Sequence, residues 1–347
     1  MDPERAWTLK RVQGDDWWEP FDVQRSPERE GRAAMNASNP WPELDWPQWR
    51  ETAIGLQLRT QIIGKLRLAL TPWLNHSWHV PFYLSARGLT TSAIPLGARI
   101  LQADFDFLGD TLILSVSDGG VREIALAAGS IADFHAAVLA ALAELDVSAT
   151  IDPRPSEMPG GVPFAEDHTQ RAYDADAVRR FWRALIQAAR IFGEFRTGFL
   201  GKASPIHFFW GSFDLAATRF SGRVAPRHPG GLPGLPDAVT CEAYSHEEAS
   251  VGFWPGSDAY PHAAFYAYAY PAPAGYGDAQ VEPAGASFDT ALGEFLLRYD
   301  AVRSAPDPDA ALLAFCRSSY DAAADLGDWD RASLECPLGR PRVPRAV

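Results

Sequence analysis

The stretch SPIHFFWGSFDLAATRFSGR, residues 204–223, decides how this chain is read, because it puts one His, one Asp, two Arg and five aromatic rings into a single segment. An alternating, aromatic-rich run predicts a strand. On that reading Phe208, Trp210, Ser212 and Asp214 share one face, and His207, Phe209, Gly211, Phe213 and Leu215 share the other. A bulge at Gly211-Ser212 would bring Asp214 onto the face of His207, the one arrangement in which the two could act as a base and its orienting carboxylate. The alternative is an aromatic core strand whose His and Asp bond to neighbouring groups. Ser212 is not read as a nucleophile, since WGSFDLA lacks the glycines of G-x-S-x-G.

Working outward, Pro47 opens a helix that carries Trp49, Ala53, Leu56, Ile63, Leu66 and Leu70 on one stripe and stops at Pro72. Strands are expected in HVPFYLSARGL and ILQADFDFLGDTLILSV, with hairpins at Gly109-Asp110 and Asp118-Gly119-Gly120. Ser130 with Asp133 caps a further helix. The strongest helical period starts near Asp174 and runs through Val178, Phe181, Trp182, Leu185, Ala189, Phe192, Phe195 and Phe199. Helices are also expected over 287–304 and 308–325. Together these predict an α+β fold, antiparallel sheets packed by long amphipathic helices.

Residues 66–89 and 191–215 each run from a helix through a polar turn into an aromatic strand, so two related halves are expected at 35–151 and 174–330. The Pro- and Gly-rich segment 152–173 would join them, and 331–347 would be a flexible tail. Residues 1–34 are charge-dense and aperiodic, which predicts a disordered leader that is not native if Met35 is the start.

A net charge of −13 argues against binding to a phosphate backbone. Cys241, Cys316 and Cys336 form neither a disulfide framework nor a zinc pattern. No apolar run reaches the roughly 18 residues of a membrane span, and the first residues have no signal-peptide core. A cytoplasmic protein, with neither nucleic acid nor membrane as partner, is expected.

The candidate chemistry sits in three groups. Glu242, His246 and Glu247 in TCEAYSHEEASVGFWPG bring two carboxylates and an imidazole together, and Glu242 and His246 join His207 and Asp214 as candidate catalytic residues. That set could in principle hold a metal, but without a compact ligand motif no metal or other cofactor is expected. Arg219 and Arg223 suit an anionic ligand group, or Arg219 is a structural ion-pair partner of Asp214 or Glu242. Trp210, Trp254 and Tyr268 offer rings for stacking, the last in AFYAYAY, where Tyr266, Tyr268 and Tyr270 share one face. His76 and His79 read as a turn and a capping histidine.

The runs HFFWGSFDLAATRFSGR (207–223), EAYSHEEASVGFWPG (242–256), AAFYAYAYPAP (263–273) and PFYLSARGLTTSAIP (81–95) resemble the signature blocks of a bacterial family known as a domain of unknown function. The resemblance spans about 39–305. It implies a shared fold and a cytoplasmic bacterial origin, and no chemistry. The residues themselves point to an enzyme or ligand-processing protein acting on a small polar molecule, or alternatively to a non-catalytic binding or interaction module that uses its aromatic surfaces.

Overall fold

The structure, a computed structural model, describes residues 40–345 apart from Pro159 and Pro233; the leader expected at 1–34 lies outside them. Helix α1 (Trp46–Leu70) has Pro47 in its first turn and ends at Thr71, as its Pro punctuation predicts. It is not the one-sided amphipathic helix expected. Thr52, Arg59, Thr60, Gln61, Lys65 and Arg67 are buried beside the apolar stripe. The long polar side chains among them reach out to loops, although Arg59 Nε and Nη1 and Arg67 Nη1 make no hydrogen bond. Arg59 donates to the Ala127 carbonyl at 2.9 Å and Arg67 to that of His79 at 2.7 Å. Gln57 donates to Gly211 O at 2.7 Å, and Gln61 exchanges bonds with the Ser156 backbone at 2.7 and 3.0 Å. Lys65 Nζ reaches Ser156 Oγ at 2.9 Å. A buried polar group needs such a partner.

The first sheet holds β1 (Tyr83–Leu84), β2 (Gly88–Thr90), β3 (Ile94–Leu96), β4 (Arg99–Asp106), β5 (Thr111–Val116) and β6 (Val121–Ala125). Its order is β1-β2-β4-β5-β6, with β3 also on β4. Both expected hairpins form, and Asp110 takes the left-handed φ of 52° that the turn demands. Helix α2 (Ile131–Glu144) follows, with Ser130 Oγ accepting from Asp133 N.

Among the described residues of the segment 152–173, regular structure is limited to a turn at Phe164–Glu166 and a bridge of Arg171 to Gly129. Helix α3 (Ala175–Thr197) is capped by the Asp174 side chain and buries Val178, Phe181, Leu185, Phe192 and Phe195. The second sheet then runs β7 (His207–Phe209), β8 (Asp214–Val224), β9 (His246–Trp254), β10 (Ala264–Tyr270), β11 (Ser287–Asp289) and β12 (Glu294–Arg298), ordered β11-β12-β10-β9-β8-β7. Helix α4 (Asp237–Ala243) lies between β8 and β9, and α5 (Tyr299–Arg303), α6 (Pro308–Leu326) and α7 (Arg331–Leu334) close the chain. The two sheets meet where Phe82 and Phe208 exchange backbone bonds at 2.8 and 2.9 Å. The fold class is α+β.

Two readings of local structure are corrected. Residues 287–304 are a β-hairpin followed by one short helix, because Gly293, at φ 74°, turns the chain, and Phe295 and Leu297 then alternate inward as a strand. The opening stretch is likewise a hairpin rather than one strand. Phe213 N bonds Phe209 O across a tight turn in which Phe213 has φ 63°, and Asp214 returns opposite Phe209. At the C-terminus, where a flexible tail is expected, Cys336 N bonds Gly198 O at 3.2 Å and Arg331 pairs with Asp321, Asp325 and Glu335.

Candidate functional site

The pleat of the second sheet sorts its residues into two sets. One set, Leu215, Ala217 and Arg219 with Val251, Phe253, Phe265, Ala267, Phe295 and Leu297, faces the helices and makes the core. The other face carries Asp214, Thr218 and Phe220 on β8, His246, Glu248 and Ser250 on β9, Tyr266, Tyr268 and Tyr270 on β10, and Glu294 on β12. The 207–223 and 242–256 blocks thus converge on one surface. Gly252 makes room for it: a Cβ there would lie 2.1 Å from the Tyr266 ring, which covers its cross-strand neighbour.

Asp214 is the centre of that face. It is 6% exposed and accepts hydrogen bonds from Ser212 Oγ and the Tyr266 hydroxyl. Burial nevertheless raises its carboxyl, and the two donors only partly oppose this. Its charge is felt by two neighbouring carboxyls. Glu157, reaching in from the 152–173 segment, is lifted to about 7 by desolvation and then by Asp214. Glu294 is lifted to about 7 by the same two causes and by Asp289. Further along, Glu248 is buried and lifted to about 8, while Tyr268 OH lies 3.5 Å from its Oε1. Among the described residues, no Lys or Arg lies within 4.0 Å of any of these four carboxyls.

The face is partly open. Tyr266, Tyr268, Tyr244 and Glu294 are half-buried, and Glu157 is exposed. The rings of Tyr266 and Tyr268 stand parallel, 6.2 Å apart, and burial pushes both phenols well up. Glu157 is held there at a backbone price: its φ is 55°, the left-handed region, which a Glu seldom occupies. Gln61 and Lys65 clamp its neighbour Ser156. Surface cavities of about 600 Å³ beside Asp278, Glu282 and Asp321 and about 280 Å³ beside Glu43 and Arg180 share no residue with this face. The chemistry argues for the face over either cavity, since only there do displaced carboxyls and stacked rings coincide.

The residues singled out in the sequence divide. His207 is 1% exposed, boxed by Trp78, Tyr83 and Phe209 with Nε2 unbonded, and burial drives it down to about 3. It makes no hydrogen bond to Asp214, so the dyad that a bulge at Gly211-Ser212 would allow is not formed. Trp210 is buried and donates to Val80 O at 3.0 Å. Arg219 lies on the helix side, not beside Asp214 or Glu242. It stacks on Phe195 at 3.5 Å and Tyr320 at 4.3 Å and donates to Phe195 O. Arg223 pairs with Glu247 and donates to the Gly327 and Asp328 carbonyls just past the end of α6. Trp254 stacks on Tyr260 at 5.7 Å, at the other end of β9 from His246. Tyr268 is in the cluster.

Glu242 and His246 belong to a second group at one end of the face. Glu242 accepts from Trp73 Nε1 at 3.3 Å and His76 N at 3.0 Å. The His246 ring sits 5.6 Å from that of His76. His76, read as a turn histidine, does occupy a turn at φ 57°, and its ring also meets Lys202. His79 accepts from Leu74 N at 3.2 Å.

Three site residues escape the sequence reading. Glu157 lies in an aperiodic loop, Glu294 in a segment read as helix, and Glu248 beside the more conspicuous His246. The one available signal for Glu157 is Gly211, whose missing side chain admits it. No group of three or more His, Cys, Asp or Glu among the described residues is arranged to hold a metal. No helix among them is long and apolar enough to cross a membrane. Neither a curated protein nor a solved structure matches the chain. A family model does match over residues 41–336, which include both sheets and every element of this face, and the chain belongs to that family of unknown function, DUF5996.

Proposed function

We propose that the outer face of the second sheet binds a small organic cation and exchanges protons with it, in a cytoplasmic bacterial protein that acts on small polar molecules. The observation that carries this reading is the pairing of four carboxyls with no Lys or Arg within 4.0 Å among the described residues, Glu157, Asp214, Glu248 and Glu294, with the parallel rings of Tyr266 and Tyr268. A cation completes such a site, because it supplies the missing countercharge and is attracted to the negative faces of the rings. Carboxyls that titrate near neutrality can also give or take a proton at working pH. Glu157 is held in a strained conformation, which favours catalysis over binding alone.

The test is a titration, followed by NMR, of the full chain with methylammonium, guanidinium and choline, using glucose as an uncharged hydroxyl-rich control. Cation binding should tighten from pH 6 to 9 as the carboxyls ionise, and should weaken at least about tenfold in Glu248→Gln and Tyr268→Ala. No cation binding at about 10 mM, a level that corresponds to a free energy below about 3 kcal/mol, would overturn it. Equal binding of glucose would instead favour the module that uses only aromatic surfaces.

A further inference from the structure

The end of the face near β8 holds a group with different chemistry. The sequence contains three lysines, Lys10, Lys65 and Lys202. Lys65 is 4% exposed and held by Ser156 and Asp152. Lys202 is exposed, and no carboxylate lies within 4.0 Å of its amine among the described residues. Its backbone is fastened to β8, since Phe220 N bonds Lys202 O at 3.0 Å and Ala203 bridges to Arg219. Its Nζ lies 2.5 Å from His76 Nε2, 4.6 Å from the centre of the Phe220 ring and 5.2 Å from that of Trp78.

The protonation of the pair follows from the bonds around it. His76 Nδ1 lies 2.7 Å from the Ala243 carbonyl, which can only accept, so Nδ1 carries the hydrogen. Nε2 is then a bare lone pair, turned on the lysine amine. Burial lowers both His76 and Lys202, which keeps the imidazole neutral and eases proton loss from the ammonium. The titratable groups around them are His246 and Glu248 on β9 and Glu242 on α4. The imidazole is fixed by strain as well as bonding. His76 and Ser77 are consecutive left-handed residues, at φ 57° and 58°, and Glu242 holds the His76 backbone N–H.

We propose that Lys202 is a covalent site: with His76 Nε2 taking its proton, its amine condenses with the carbonyl carbon of a small aldehyde or ketone to form an imine. The ammonium proton passes to Nε2, and the freed lone pair on Nζ bonds to the carbonyl carbon while the C=O π pair moves to oxygen. The oxygen collects two protons, one returned by His76 and the other lost from Nζ, and leaves as water as the C=N bond forms. One water is released and nothing is oxidised or reduced. Trp78 and Phe220 shield the imine from water and favour an apolar or aromatic group on the carbonyl compound. The inference does not rest on cation binding by the carboxyl cluster, although Glu248 stands near both, and it is read by a different signal.

The experiment treats the full chain with propanal and cyanoborohydride at pH 7, in competition with free Nα-acetyl-lysine amide, and locates the alkylated lysine by peptide mass mapping. Lys202 should react at least about tenfold faster than the free amine, and this advantage should fall below about twofold in His76→Gln. Lys65 should stay unmodified. A Lys202 rate equal to that of the free amine, or an advantage untouched by His76→Gln, overturns the proposal. If His76→Gln does not fold, the wild-type pH profile decides. The Lys202 rate should level off at a lower pH than that of the free amine, and coincident profiles overturn the proposal.

Discussion

The carboxyl of Glu157 occupies the space that a side chain at Gly211 would fill, a Cβ there standing 2.1 Å from Glu157 Oε1. The two residues come from segments far apart in sequence, and α1 fixes both, with Gln57 on the Gly211 carbonyl and Gln61 on the Ser156 backbone. A buried helix therefore sets the distance between Glu157 and Asp214. The obstructing atom is the end of a flexible side chain, and Gly211 has no positive φ to protect. Gly211→Ala should accordingly fold, changing stability by less than about 1 kcal/mol. Its Glu157 carboxyl should swing outward and titrate near the ordinary 4.5 instead of about 7. Carboxyl NMR on the variant checks this, and a Glu157 that still titrates near 7 would show that Gly211 does not set its position.

The raised carboxyls fix the sign of a pH effect. Glu248 titrates near 8 in the folded chain against an ordinary 4.5, so between those values the folded state holds a proton that the unfolded state has lost. Stability then falls as pH rises, by at most about 1.4 kcal/mol per pH unit for one group. The contribution is complete below 4.5 and gone above about 8. Glu248→Gln keeps the uncharged form at every pH. It should match wild type near pH 5 and gain on it by about 2–4 kcal/mol by pH 8.5, read from denaturant melts. A constant difference between the two proteins across that range would contradict the assignment.

Local signals in the sequence carry most of the fold. The cap at Ser130, the helix start near Asp174, the turn at Gly109-Asp110 and the alternating tyrosines of AFYAYAY each act over a few residues, and each appears as expected. What fails is long-range. The apolar period of α1 marks one stripe, whereas its buried polar residues are decided by loops arriving from 79, 127, 156 and 211. Glu294 is lost with the hairpin at Gly293, where FLLR reads as helix until its inward alternation is paired with β10. Arg219 and Asp214 lie on one strand five positions apart, an odd separation that sends them to opposite faces. Tyr268 and Asp214 sit on a shared face because register carries Tyr266 and Tyr268 across β9 to β8.

The last expectation concerns His207 and Asp214, which the hairpin brings onto one face without a bond. Phe209 packs against the His207 ring at 5.5 Å and stands opposite Asp214 in the ladder, so an aromatic ring separates the two. His207 has an unbonded Nε2 in an apolar box, and an apolar ring of similar shape relieves that burial. His207→Phe should therefore be close to neutral at pH 8. Because His207 stays neutral in the fold down to about 3 while an unfolded His takes a proton below about 6.5, the variant should gain on wild type as pH falls from 6.5 toward 3. Asp214 does have partners. Removing the Tyr266 hydroxyl with Tyr266→Phe should cost about 1–3 kcal/mol and couple to Asp214→Asn by at least about 0.5 kcal/mol in a double-mutant cycle. The cycle between His207→Phe and Asp214→Asn should close to within about 0.5 kcal/mol. A coupling between His207 and Asp214 as large as that between Tyr266 and Asp214 would restore the dyad.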